Sequence, residues 1–191
     1  MNNLFFRFIF LERILMNVLE MICNVFDGIN EWVGRVVAWV TLALVLIVFT
    51  DVVMRYLFNT SFVFVQELEW HVFGFIFLMG AGYTLLHDGH VRVDVIYQNL
   101  SPRGQAWINL IGVIFFMLPG CLMVIITSWK FTANSWMIME GSPDPGGIPY
   151  RYILKGTITT GFLLLFLQGI SMGLHSILLL AGVEKARERT L

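Results

Sequence analysis

Residues 32–56 read WVGRVVAWVTLALVLIVFTDVVMRY, from Trp32 to Tyr56. The charges, Arg35, Asp51 and Arg55, stand toward the two ends, and residues 36–50 carry none. At about 1.5 Å of rise per residue this segment is about 37 Å long as a helix, enough to cross a hydrocarbon core of about 30 Å. The same reading finds three more spans at about 67–86, 106–129 and 152–182. Trp32, Tyr56, Trp70, Tyr97, Trp107, Trp129, Tyr150 and Tyr152 fall near the ends, where amphipathic rings sit among headgroups.

Composition agrees with a lipid-solvated chain. Of 191 residues, 58% are hydrophobic and 13% charged, and the mean hydropathy is +0.78; a soluble domain needs more charge to cover its surface. A formal net charge of -1 offers no basic field for nucleic acid, which leaves protein and lipid as the expected partners. Cys23 and Cys121 lie far apart in apolar runs, without CxxC spacing, and read as buried thiols. The start, Met1 to Arg7, lacks a basic leader, and no small-x-small cleavage site follows the first apolar stretch; the first segment is therefore expected to stay in the mature protein.

The fold expected is an all-α membrane protein with four transmembrane helices, an N-terminal amphipathic interfacial helix and both termini cytoplasmic. Its organisation is an interfacial helix over 1–30, a four-helix domain over 31–183 and a cytoplasmic tail over 184–191. Orientation follows from Lys and Arg: eight (Arg7, Arg13, Arg35, Arg92, Arg103, Lys185, Arg187, Arg189) fall on one side and four (Arg55, Lys130, Arg151, Lys155) on the other, and the richer side faces the cytoplasm. Before the first span, Arg13, Asn17, Glu20, Asn24, Asp27 and Glu31 recur every three or four residues and form one stripe, predicting a helix in the membrane interface or against another membrane protein, with a narrow wet edge. The competing reading, a fifth span over Leu4–Val25, places Arg7, Glu12, Arg13 and Glu20 in hydrocarbon at about 2.5–3.5 kcal/mol per central charge.

Pro119-Gly120 in the third span predicts a bend. Gly169 and Gly173 in the fourth form a small-xxx-small pair, and with Gly74, Gly80 and Gly82 in the second they predict close helix packing, within the chain or against a partner. Between the last two spans, Ser142-Pro143-Asp144-Pro145-Gly146-Gly147-Ile148-Pro149-Tyr150-Arg151 forbids a helix; it reads as a helix reversal or as a rigid loop facing an external partner.

Candidate chemistry is sparse. A haem- or quinone-binding anchor of a redox complex is the alternative reading, but His71 and His175 fall near opposite ends of their spans and cannot share one iron. His87 is nearer in depth to His175, yet stands beside Asp88 and Gly89 at headgroup level. Asp51 and Arg55, four residues apart, face the same way; Glu67 and Glu69 open the next span, where a hairpin brings them near Arg55. His87 to Asp94 mixes two imidazoles, two carboxylates and a guanidinium, but Val91 and Val93 alternate as in a segment tucked against something apolar, so docking or capping is preferred to metal. Lys155 and the Gly169/Gly173 pair complete the candidate structural or interface residues. There is no GxSxG, Walker A, HExxH or dinucleotide fingerprint, and no catalytic, substrate or metal site is assigned. An autonomous channel would need a polar lining that these spans lack.

Arg55-Tyr56-Leu57-Phe58-Asn59, Glu67-Leu68-Glu69-Trp70, Gly82-Tyr83-Thr84-Leu85-Leu86 running into His90-Val91-Arg92-Val93-Asp94, and Leu154-Lys155 followed by Gly161-Phe162 and Leu167-Gln168-Gly169 resemble the small membrane subunit, the DctQ-like or Q component, of tripartite ATP-independent periplasmic (TRAP) transporters. The resemblance covers most of the chain after about residue 30 and is similar to the branch often labelled mannitol or chloroaromatic type. It implies partners: a large membrane subunit, DctM-like, that moves an organic acid, often a carboxylate, with sodium, and a periplasmic receptor that captures it. This chain would then be a non-enzymatic scaffold in the inner membrane, without a cofactor of its own, sodium belonging to the large subunit. In that role Asp51, Arg55, Asn59, Glu67 and Glu69 would order the outer ends, and His90, Arg92 and Asp94 the inner loop.

Overall fold

The computed structural model describes residues 2–89 and 97–182, with the side chains of 2–13 and 15 outside that description. Four helices follow one another: α1 (Asn2–Phe58), α2 (Val63–Leu86), α3 (Pro102–Met137) and α4 (Arg151–Leu180). All four include stretches long and apolar enough to cross a membrane, and the described residues contain no strand. The α1–α2 and α3–α4 connections lie together at one end, called upper here, since Glu67 of α2 bonds to Ser142 and Ile148. The α2–α3 connection lies at the other, lower end.

Helix ends are set by local chemistry rather than by where the apolar run stops. Asn59 caps α1 at φ 51°, a left-handed position that asparagine tolerates. Asp88 does the same for α2 at φ 59°, with the Gly89 amide donating to the Thr84 carbonyl at 2.8 Å. Ser101 caps α3 by accepting from the Gly104 amide at 3.3 Å, with Pro102 in the first turn. α2 and α3 are longer than the spans read from hydropathy: α2 begins at Val63 rather than 67, without a side-chain cap, and α3 covers Pro102–Met137 rather than 106–129, Ser101 setting its start. Within α3, Val113–Met117 forms a π-helical turn, which accommodates Pro119, whose ring and missing amide disrupt regular α-helical bonding to the turn before it.

The expected boundary between an interfacial helix over 1–30 and the first span is not marked by a turn. α1 is unbroken over 57 residues, about 86 Å. The stripe read as a wet edge also divides: Asn17 and Asn24 are exposed, whereas Asp27 faces α4 and Glu31 pairs with Arg35 and His87. The buried seam of α1 runs through Cys23, Asn30, Gly34 and Val37, while Val25, Ile29, Trp32 and Trp39 face outward. In lipid the cheap direction for a polar group is inward against another helix, which inverts the amphipathic rule of soluble proteins.

α4 is the centre of the bundle, its buried residues being mostly small or polar: Thr157, Gly161, Gln168, Gly169, Ser171, Gly173 and Ser176. The Gly169/Gly173 pair packs within the chain, against Met117 and Val113 of α3. A methyl at Gly173 would sit 3.4 Å from Val113 Cγ1, and one at Gly169 3.0 Å from the mobile end of Met117. Gly173→Ala is therefore expected to change the detergent melting temperature by no more than about 2 °C; a loss several times larger would show a tighter α3–α4 contact than this.

Candidate functional site: two polar clusters at the ends of the bundle

At the upper end, Glu67 is 4% exposed although it lies in the second turn of α2. Its carboxylate accepts from the Ser142 hydroxyl and from the Ile148 amide at 2.6 Å, and the Arg151 guanidinium stands 3.7 Å away. Arg151 also lies over the Trp70 ring, 5.4 Å from its centroid. A second carboxylate, Glu140, pairs with Lys155 and accepts from the Ser135 hydroxyl at 2.6 Å. The Lys155 ammonium covers the Phe131 ring at 4.1 Å.

Glu140 lies in the connection between spans, and the Lys155 ammonium and Ser135 hydroxyl hold its carboxyl below its ordinary value of 4.5. Because the folded value is the lower one, this pair stabilises the fold above the ordinary carboxylate range and the benefit is lost as pH falls through the depressed value. Melting curves of the native chain and Glu140→Gln are expected to differ at neutral pH and to converge on acidification well below 4.5; a constant difference would contradict the pairing.

Among the residues singled out from sequence, Asp51 and Arg55 pair one turn apart, with Asp51 4% exposed. Glu67 turns toward the α3–α4 connection rather than toward Arg55. Glu69 keeps a buried oxygen, Oε1, without a hydrogen-bond partner. Asn59 is a helix cap, and Lys155 is the partner of Glu140. His90, Arg92 and Asp94 lie outside the described residues; the flanking Asp88 and Tyr97 both line the lower cavity.

That cavity, about 270 Å³ in volume, is bordered by Asp27, Asn109, Gln168 and His175, among others. Asp27 of α1 accepts from Gln168 Nε2 at 2.9 Å, Ser171 Oγ at 2.5 Å and His175 Nε2 at 3.2 Å. One turn to either side, Asn30 Nδ2 donates to the Leu164 carbonyl at 3.4 Å and the Cys23 thiol points at the Ser171 carbonyl at 3.8 Å. Nearby, Glu31 holds Arg35 at 3.0 Å and His87 at 2.8 Å. Sequence reasoning missed this cluster because it weighed His175 only as an iron ligand. The signal was there: Gln168, Ser171 and His175 recur at three and four residues, a polar line on one face of α4.

The imidazoles of His71, His87 and His175 serve as side-chain anchors. His71 Nδ1 donates to the Glu67 carbonyl at 2.6 Å near the upper end, whereas His87 and His175 pair with carboxylates at the lower end. Among the described residues no group of three or more His, Cys, Asp or Glu could hold a metal ion. Both clusters join helices to one another and to their connections.

A family model described as "Tripartite ATP-independent periplasmic transporters, DctQ component" matches residues 44–178. The chain belongs to this DctQ family. It is 30% identical over 123 residues to a putative TRAP transporter small permease protein of Haemophilus influenzae, covering 62% of this chain and 74% of that one. It is 27% identical over 124 residues to the C4-dicarboxylate TRAP transporter small permease protein DctQ of Vibrio cholerae, covering 62% of this chain but about half, 52%, of that relative. No solved structure matches. This DctQ chain is thus the small permease subunit of a TRAP transporter and a multi-pass protein of the inner membrane. Its family is one of transporter subunits, not of enzymes.

Proposed function

We propose that this subunit braces the immobile part of a large, elevator-type membrane subunit, so that a transport domain carries an organic acid inward with sodium while the scaffold stays still. The observation that carries the reading is the distribution of polarity. Buried groups on α1 and α4 are mostly small or polar, Val37 and Leu178 being the exceptions, whereas Trp39, Phe77 and Phe116 are each more than 70% exposed. Such a bundle offers broad apolar faces to a membrane partner. Ile14, Val18, Met21, Val25, Ile29 and Trp32 form one outward line on α1, which continues the first span past the bilayer core and gives the partner a long edge along the interface. Both termini and the lower connection face the cytoplasm, in line with the bias in basic residues. The name of the Vibrio cholerae relative supports a carboxylate as the solute; the mannitol or chloroaromatic resemblance narrows it no further. Solute and sodium both bind in the large subunit, and a soluble receptor delivers the solute from outside.

Purification of the tagged chain from its own membranes tests the reading. Recovery of a large multi-pass subunit in comparable amount is expected. Recovery of the chain alone, or solute flux through liposomes containing only this chain, would overturn it.

A further inference from the structure

A reversal between two helices requires no buried charge, yet the α3–α4 connection is built on one. Glu67 is 4% exposed and receives the Ser142 hydroxyl, the Ile148 amide and the flank of Arg151. Ser142 in turn donates its amide to the Ile148 carbonyl at 2.9 Å and accepts from the Asp144 amide at 3.1 Å, and Gly147 donates to Asp144 at 3.0 Å. The fit leaves no room for a side chain at Gly147, where a methyl would collide with Ser142 Oγ and lie 2.6 Å from Glu67 Oε2. Burying a carboxylate is costly unless donors surround it; here they come from both ends of one loop, so the carboxylate dictates the loop's shape.

The tip so held, Pro143 to Gly146, is exposed. It stands beyond aromatic rings that mark a membrane boundary, with Trp136 and Tyr152 4.8 Å apart and Tyr150 6.1 Å from Tyr152. Two prolines, an aspartate and a glycine suit water and a folded protein surface, not acyl chains. A loop already fixed in shape loses little entropy on contact.

We infer that Glu67 is a positioning residue: by clamping Ser142 and Ile148 it presents the Pro143–Gly146 tip to the soluble component of the tripartite assembly and sets how tightly that component engages. This rests on the transporter reading above. It makes loop order, rather than any charge on the tip alone, the source of affinity.

The test is uptake by the reconstituted complex of both membrane subunits, with the receptor titrated. Glu67→Ala is expected to raise the half-saturating receptor concentration about tenfold, the equivalent of about 1.4 kcal/mol, while the rate at saturating receptor stays within about twofold. Gly147→Ala, which keeps the Glu67 carboxylate and changes only a loop residue, should shift it in the same direction if Glu67→Ala fails to assemble. Addition of the Ser142→Ala change to Gly147→Ala should give little further loss, both acting through one loop. A half-saturating concentration unchanged in Gly147→Ala and in any assembled Glu67→Ala complex would overturn the inference, as would a fall in maximal rate alone. If native uptake needs no receptor, the transporter reading itself fails, a result distinct from either.

Discussion

Gly161→Ala is expected to destabilise the bundle by about 3 kcal/mol, toward the upper end of overpacking costs. A methyl there would lie 2.5 Å from the Leu78 carbonyl oxygen and 2.8 Å from its carbon. These are backbone atoms of α2, so no rotamer change relieves the clash and the two helices must separate. The control lies on the same helix: at Gly156 the nearest atom to a new methyl is Thr132 Cγ2, at 3.7 Å. Thermal unfolding in detergent should show a loss of several degrees for Gly161→Ala and little for Gly156→Ala. Equal, small changes would mean that α2 and α4 are not in backbone contact at this level.

The second large effect concerns Asp27. Removing its carboxylate in Asp27→Ala strips the acceptor from Gln168, Ser171 and His175 together. Each donor left buried without a partner costs about 1–3 kcal/mol, and because Asp27 and His175 side chains are 14% and 16% exposed, water recovers part, leaving about 3 kcal/mol. The loss should be local to the α1–α4 contact, and Cys23 reports on it. Its thiol is fully buried beside Ser171. A membrane-permeant maleimide is expected to label Cys23 in Asp27→Ala much faster than in the native chain, with Cys121, 4% exposed among other helices, unchanged. A Cys23 that stays protected would show that apolar packing alone seats α1.

These two positions also show what sequence could and could not disclose. Long apolar runs need only a count of residues against the bilayer's thickness, so four crossing helices were legible at once. Their ends were less so, because hydropathy stops where polar residues begin, whereas the helix continues to a left-handed residue such as Asn59 after α1 or Met139 after α3. The polar stripe on α1 was visible as a period, but period alone does not say whether a stripe meets water or a neighbouring helix. Only the matching line on α4 decides that for Asp27. In the same way Glu67 was recognisable as an unusual charge at a span's edge, yet its partners Ser142 and Ile148 lie 75 and 81 residues away, a separation no local pattern bridges. Gly161 entered only through the family resemblance, and nothing in its spacing marked a backbone contact, since glycine is common in membrane helices.

Gly34 meets the Tyr83 ring and Gly82 meets Asn30 without space for a methyl, as Gly161 meets Leu78. Asp27 joins α1 to α4 at the lower end, and Glu67 joins α2 to the α3–α4 connection at the upper end. Close contacts of this kind resist shear, which the proposed bracing role requires.

The most direct measurement is receptor-dependent solute uptake into membrane vesicles that contain the large subunit with and without this chain. Bracing predicts that uptake is lost without the chain and returns when it is co-expressed, although the large subunit is present in both preparations. Undiminished uptake in its absence would contradict the account.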